Sequence, residues 1–349
     1  MSQKSFFTSS LIRWNVAENK REMPWKGERD PYRIWLSEII LQQTQVSQGW
    51  SYYNRFIVKY PTVHHLAAAE DTEVFKFWEG LGYYSRCKNL LSSARQIVSE
   101  MDGKFPGTYK EILKLKGVGT YTASAITSFA YNLPYSVLDG NVFRVLARFF
   151  GISTAIDSTD GKKEFAILAD KLLDKENPGI YNQSIMDFGA TVCKPLPSCN
   201  LCPLNTKCVA YLNNIISSLP VKAKRIVRTQ RWMYFLIVEH KGKVFIRKRR
   251  LNDIWQNLYE FILVEPGTKL SESELKSEKF LKPILGNSSF FIKKISGPRK
   301  QLLTHQVING RFITISLKSA ATPEGYIAVT KKELMALPFP KFITTYLQE

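Results

Sequence analysis

The sequence predicts a multidomain chain: an all-α domain over residues 1–218, a basic linker over 219–231 and an α+β domain over 232–349. Three observations carry this. Apolar residues recur at spacings of three and four through the first part, as on the buried face of a helix. That period stops near Leu219-Pro220, where a short basic stretch follows. Beyond it the apolar residues fall in short runs of β type.

Within the first domain, helices are expected over Tyr32–Val46, Thr72–Phe77, Asn89–Val98, Tyr121–Ala130 and Val142–Phe150. Breakers separate them: Pro61, Gly80 with Gly82, Asp102-Gly103, Pro106, Gly117 with Gly119, Pro134 and Gly151. Asp71-Thr-Glu73 and Thr108 read as helix starts. In the last domain, strands are expected over Trp232–Glu239 and Lys243–Arg247, joined as a hairpin through His240-Lys-Gly242. Tyr259–Val264 and Arg311–Leu317 read as further strands, and Ser271–Phe280 and Lys331–Leu337 as helices.

Composition limits the function classes. With 349 residues, 44% of them apolar, each domain can bury its own core. The longest strongly apolar run, Trp232–Val238, is far short of the ~20 residues that span a bilayer, so no membrane partner is expected. Met1–Trp14 has neither a long apolar run nor a small-residue cleavage site. A soluble cytoplasmic protein is expected, nucleoid-associated if bacterial. Lys and Arg number 49 against 30 Asp and Glu, a net charge of +19 that favours a polyanionic partner. A generally basic protein with no such partner is the plain alternative. The densest basic runs are Lys222-Ala-Lys-Arg225, with Arg228 and Arg231, and Arg247-Lys-Arg-Arg250. By themselves they define no site.

Four of the five cysteines fall within sixteen residues: Cys193, Cys199, Cys202 and Cys208, spaced C-x5-C-x2-C-x5-C. In a reducing compartment, clustered thiolates surround a metal more often than they pair as disulfides. Spacing leaves both zinc and an iron–sulfur cluster open.

Leu115-Lys-Gly-Val-Gly-Thr-Tyr121 joins two expected helices. Gly117 and Gly119 let the backbone approach a ligand, and the next helix offers unpaired N–H groups and its positive dipole end to a phosphate. A plain turn is the other reading. Asp139 follows twenty residues after Gly119, in Val137-Leu-Asp-Gly-Asn141, where it also suits capping of a helix near Val142. The order hairpin, aspartate, four cysteines resembles the endonuclease III-like branch of the helix-hairpin-helix DNA glycosylases. That resemblance implies an all-α glycosylase domain whose four cysteines hold a [4Fe–4S] cluster, in a DNA-facing loop with Lys194 and Lys207. The family spacing is usually C-x6-C-x2-C-x5-C. This chain is one residue shorter between Cys193 and Cys199, and two prolines stiffen that loop.

Trp35-Leu-Ser-Glu-Ile-Ile-Leu-Gln-Gln-Thr-Gln-Val46 resembles the signature of adenine-specific glycosylases of the MutY type. Adenine leaves poorly as an anion, so an acid must protonate it, at N7 in this family. Glu38 fits that task. On a helix its neighbours three and four away are Ile34, Trp35, Leu41 and Gln42, mostly apolar, and partial burial would raise its pKa. Asp139 would then stabilise the oxocarbenium-like sugar, the two-carboxylate logic of glycoside hydrolysis. Bifunctional relatives carry a lysine where this chain has Tyr121. Tyrosine cannot form a Schiff base, which implies a monofunctional enzyme that leaves an abasic site. Packing at the first helical turn is the other role for Tyr121. Asn141 matches an active-site asparagine.

The resemblance spans about residues 5–345. Trp25, Lys26 and Gln183 match positions at the adenine pocket, and Leu41 of the signature segment is a further candidate substrate or DNA contact. Gln43, Thr44 and Tyr83 match positions that enter the duplex beside the lesion and offset unstacking. Ile254-Trp-Gln-Asn-Leu-Tyr-Glu-Phe261 resembles part of the family's C-terminal Nudix-like domain, which recognises 8-oxoguanine. Leu303-Thr-His305 lies where the family has Phe-Ser-His, making Thr304 and His305 candidate contacts. The glutamate-rich Nudix box is absent, so diphosphate hydrolysis is not expected. The implied partner is double-stranded DNA with adenine opposite 8-oxoguanine or guanine, bound by a monomer. A pyrimidine glycosylase/lyase and a non-catalytic lesion-binding protein are competing readings. Tyr121 and the Gln-Gln-Thr signature count against the first, and retention of both carboxylates against the second.

Overall fold

The computed structural model describes residues 2–223, 227–250, 252–286, 288–318 and 323–349; Lys224 and Arg225 of the basic linker lie outside them. The chain forms two compact units. One comprises Met1–Ala68 and Lys88–Arg225, the other Ala69–Cys87 and Ile226–Glu349. The segment Ala69–Cys87, expected within the helical domain, thus packs with the strands. Specific bonds hold it there. Lys76 Nζ donates to the Leu337 carbonyl at 3.0 Å, and Glu79 Oε1 accepts the Phe339 N–H at 2.8 Å.

The helical unit forms where apolar stripes meet. One core joins Phe7, Leu11 and Trp14 of helix Gln3–Ala17 to Val145 and Phe149 of helix Gly140–Phe150. Phe165 and Leu172 of helix Thr159–Leu172 join it, with Tyr181, Ile185 and Phe188 of helix Pro178–Thr191. Leu204 and Ala210, from the cysteine segment, are buried in the same core. Each large apolar side chain so buried contributes about 1.5–3 kcal/mol. The cysteine segment is therefore tethered to the helices by packing.

Local signals set the helix ends. Asp30 caps helix Pro31–Leu41 by accepting the Tyr32 N–H at 2.9 Å, with Pro31 in the first turn. The helix expected over Tyr32–Val46 is in fact two, Pro31–Leu41 and Val46–Lys59. Between them Gln43 takes a φ of 56°, a left-handed conformation uncommon outside glycine. No Gly or Pro marks this break, so apolar spacing runs through it unseen. Gln43 and Thr44 consequently stand on a turn and not on the helix.

The second unit carries strands β1 (Thr229–His240), β2 (Lys243–Lys248), β3 (Tyr259–Glu260), β4 (Ile262–Val264), β5 (Phe290–Ile295), β6 (Arg299–Leu302), β7 (Gln306–Leu317) and β8 (Ile327–Thr330). Among the described residues they form one sheet with the path β3-β2-β1-β7-β5; β4 also pairs with β1, β6 with β7 and β8 with β2. The β1–β2 hairpin turns through Lys241 and Gly242, at φ 46° and 74°, as a two-residue turn of matching twist requires. The long β1 and β7 run parallel, from Thr229 opposite Gln306 to Glu239 opposite Ser316. Both faces of β1 are covered, which explains its unbroken buried stretch from Met233 to Val238. Leu275, Leu281 and Leu285, from helices Glu272–Lys276 and Glu278–Leu285, cover one face. These two helices replace the single one expected over Ser271–Phe280; Ser277 ends the first and caps the second. On the other face Phe342 and Tyr346 of helix Lys341–Leu347 pack on Phe312, with the Phe312 and Tyr346 rings stacked at 4.0 Å.

The Ile254–Phe261 stretch is held by ion pairs. Arg249 pairs with Glu260 at 2.7 Å and Asp253 at 2.8 Å, and both Arg249 and Glu260 are buried. Arg247 pairs with Glu260 at 2.9 Å. Two arginines of the run Arg247–Arg250 are therefore engaged in ion pairs with Glu260, and Arg249 is buried in doing so. Removing a buried partner strands its counter-charge, at about 3–5 kcal/mol. Arg249→Met is expected to lower the urea midpoint of unfolding correspondingly; an unchanged midpoint would contradict the role given to these pairs.

Candidate active site

A pocket of about 810 Å³ opens in the helical unit. Its lining brings together Glu38, Tyr121, Asp139 and Asn141 with Trp25, Lys26, Leu41, Gln43, Thr44 and Gln183. Gly117 and Gly119 lie at the hairpin turn, outside the lining. Tyr83, Thr304 and His305 belong to the other unit.

Glu38 sits on the buried face of helix Pro31–Leu41 and is only 5% exposed. Trp35, one turn earlier, is fully buried with its ring 5.6 Å from that of Phe105. Burial raises the Glu38 carboxyl to a pKa of about 7. The nearby Asp139 adds to the rise, and a hydrogen bond with Tyr121 opposes it. Glu38 is thus partly protonated at neutral pH, as a general acid should be. Burial also raises the Tyr121 pKa well above its ordinary value, and Glu38 and Asp139 raise it further. The phenol stays a neutral donor between two carboxyl groups.

Asp139 caps helix Gly140–Phe150: its Oδ1 accepts the Val142 N–H at 2.7 Å. Asn141 Nδ2 donates to Oδ2 at 2.8 Å. Burial raises the Asp139 pKa, while the Val142 and Asn141 donors and the Arg144 charge oppose this. Capping and a place in the pocket hold at once.

Arg144 extends this constellation. Its NH2 donates to Asn141 Oδ1 at 2.8 Å and to the Gly189 carbonyl at 2.6 Å; its Nε donates to the Cys193 carbonyl at 2.7 Å. Gly189 is required here, because a Cβ would stand 2.7 Å from Asn141 Cβ and 3.0 Å from its carbonyl oxygen. At the hairpin, Gly117 has a φ of 81° and accepts from Gln42 Nε2 at 3.4 Å. Gly119 precedes helix Thr120–Tyr131, whose first turn has no side-chain cap.

The four cysteines lie half-buried beside the helical core. Arg148 clamps the short loop: it donates to the Lys194 carbonyl at 2.7 Å and the Pro195 carbonyl at 3.0 Å. Burial pushes the Cys202 thiol up to about 12, and proximity to Cys193, Cys208 and Cys199 adds to this. The thiols therefore feel one another. Yet among the described residues no group of three or more His, Cys, Asp or Glu side chains forms a metal-ion site. Four neighbouring thiols are a donor set that either a zinc ion or an iron–sulfur cluster takes.

In the second unit, Tyr83 is 43% exposed on a loop with φ 46°, braced by Arg86, which stacks 5.5 Å from its ring and donates to the Leu81 and Gly82 carbonyls. Its hydroxyl makes a short hydrogen bond with Thr304. Thr304 and His305 form the turn between β6 and β7, with His305 exposed.

Comparison with known proteins identifies the family. Residues 36–172 match the HhH-GPD superfamily of base excision DNA repair proteins, and residues 233–349 match the NUDIX domain. The chain is 33% identical over 256 residues to the adenine DNA glycosylase of Buchnera aphidicola subsp. Schizaphis graminum, covering 73% of this chain and 74% of that one. The chain belongs to the adenine DNA glycosylases. This glycosylase is also 41% identical over 220 residues to the human adenine DNA glycosylase, 60% of this chain and 40% of that one. A thermostable thymine-DNA glycosylase matches with a TM-score of 0.57 and 30% identity, over 60% of this chain and 97% of its own. An endonuclease III in a non-covalent DNA complex shares the fold, at TM-score 0.53 and 22% identity, over 62% and 99%. The glycosylase is accordingly a base-excision repair enzyme acting on N-glycosyl bonds. Among the described residues no helix is long and apolar enough to cross a membrane.

Sequence reasoning missed Arg144, Arg148, Gly189 and Asp187, which support the pocket and the cysteine loop. The available signal was weak: the helix Pro178–Thr191 that carries two of them has no strong apolar stripe to announce it. Gly189→Ala is expected to displace Asn141 and to cost about 1–3 kcal/mol by overpacking. A urea titration matching wild type would contradict this close approach.

Proposed function

We propose that the glycosylase removes adenine opposite 8-oxoguanine or guanine from double-stranded DNA by hydrolysing the N-glycosidic bond. The observation that carries this is one buried glutamate, Glu38, with its pKa near 7, sharing a pocket with Asp139. Glu38 protonates the departing base. Asp139, supplied with donors that suit its anion, stabilises the positive charge developing on the sugar. Tyr121 offers no amine, so no Schiff base forms and the product is an abasic site.

The remaining contacts follow the same reading. Gln43, Thr44 and Tyr83 enter the duplex beside the lesion; the exposure and left-handed backbone of Gln43 and Tyr83 suit residues that project. The turn Gly117–Gly119 and the uncapped helix after it receive a phosphate. Thr304 and His305, in contact with Tyr83 through Thr304, read the base opposite adenine. Cys193, Cys199, Cys202 and Cys208 hold a [4Fe–4S] cluster, which braces the loop and supplies no step of the reaction. The enzyme binds DNA as a monomer, in the cytoplasm.

Single-turnover cleavage of a duplex with adenine opposite 8-oxoguanine tests the mechanism. Glu38→Gln is expected to slow adenine release at least about 100-fold, the lower range for general acid catalysis. Because Glu38 acts protonated, the wild-type rate should fall as pH rises through about 7. Wild type that releases no adenine, or a variant that works equally well, would sink the proposal. Purified protein is expected to contain iron and sulfide and to absorb in the visible, with both reduced in Cys199→Ser; bound zinc instead would refute the cluster.

A further inference from the structure

Asp187 does not line the pocket, yet three side chains that do, Arg21, Lys26 and Gln183, end on its carboxylate. The side chain is fully buried. Oδ1 accepts from Arg21 NH1 at 2.7 Å and Gln183 Nε2 at 2.9 Å; Oδ2 accepts from Asn19 Nδ2 at 2.8 Å and faces Lys26 Nζ at 3.2 Å. Gln183 and Asp187 are four apart on one face of helix Pro178–Thr191.

This arrangement fixes the direction of an amide. A free glutamine can rotate to show a ligand either its NH2 or its carbonyl oxygen. A carboxylate engaged at both oxygens as an acceptor takes only the NH2 end, so Oε1 of Gln183 is turned away from it. Among the described residues no donor reaches that oxygen, and Gln183 lines the pocket. We infer that Asp187 is a positioning residue that sets the polarity of the base pocket, holding Gln183 so that it presents an acceptor. Such an acceptor takes an N–H of the adenine 6-amino group. A base with a carbonyl at that position, guanine or hypoxanthine, would bring two oxygens together. This inference rests on the adenine-removal reading and adds the source of its base selectivity.

The test compares single-turnover rates on duplexes carrying deoxyadenosine or deoxyinosine opposite 8-oxoguanine. Wild type should prefer deoxyadenosine strongly. Asp187→Asn, whose own amide lets Gln183 turn either way, should lower the adenine-to-hypoxanthine rate ratio by roughly ten-fold or more. Gln183→Leu should lower the ratio as well, and the double variant should fall no further than Gln183→Leu alone. A simple loss of stability would slow both substrates and leave the ratio intact. An unchanged ratio in folded Asp187→Asn, or additive losses in the double variant, overturns the inference. Should Asp187→Asn not fold, Gln183→Leu decides: a lowered ratio supports the inference and an unchanged one overturns it. Wild type inactive on both duplexes would instead overturn the adenine reading.

Discussion

The pocket depends on one carboxyl being kept from water. Glu38 reaches a pKa near 7 because helix Pro31–Leu41 turns it inward beside Ile34 and Trp35. That helix is itself fixed by the Asp30 cap at one end and the break at Gln43 at the other. The two carboxyl groups then differ by their partners. Glu38 has the Tyr121 phenol, while Asp139 has a backbone N–H, the Asn141 amide and a nearby Arg144. Similar side chains a short distance apart are thereby suited to opposite tasks, one to give a proton and one to face a cation.

Behind the pocket stand groups that do not themselves line it but hold residues that do. Arg144 ties Asn141 to the backbone of Gly189 and Cys193, and Arg148 ties the cysteine loop at Lys194 and Pro195. Asp187 gathers Arg21, Lys26 and Gln183. All three act through buried or half-buried charge-assisted hydrogen bonds, which are stronger and more directional than neutral ones. The Cys193–Cys199 loop is thus tied down by one arginine at two successive carbonyls.

The two-part architecture was legible in apolar spacing, and the pocket in a few motifs. Glu38, Tyr121, Asp139 and Asn141 could be named because they sit in contiguous signatures, and the structure gathers them in one pocket. The turn at Gln43 was not legible, since a left-handed glutamine carries no compositional mark. Neither was the affiliation of Ala69–Cys87 with the strands, which rests on Lys76, Glu79 and Tyr84 meeting residues more than 200 positions away. The parallel pairing of β1 with β7 was likewise invisible, because strand runs do not encode partners. Asp187 looked like any helical acid until its four donors came from residues 19, 21, 26 and 183.

The central claim is that burial holds Glu38 protonated near neutrality. Carbon-13 NMR of side-chain-labelled glutamate, with Glu38→Gln to assign the signal, measures this directly in the free enzyme. An apparent pKa near 7, read as that of the pair it forms with Asp139, is the expected result. A Glu38 carboxyl that titrates near 4.5, the ordinary value for glutamate, would contradict it.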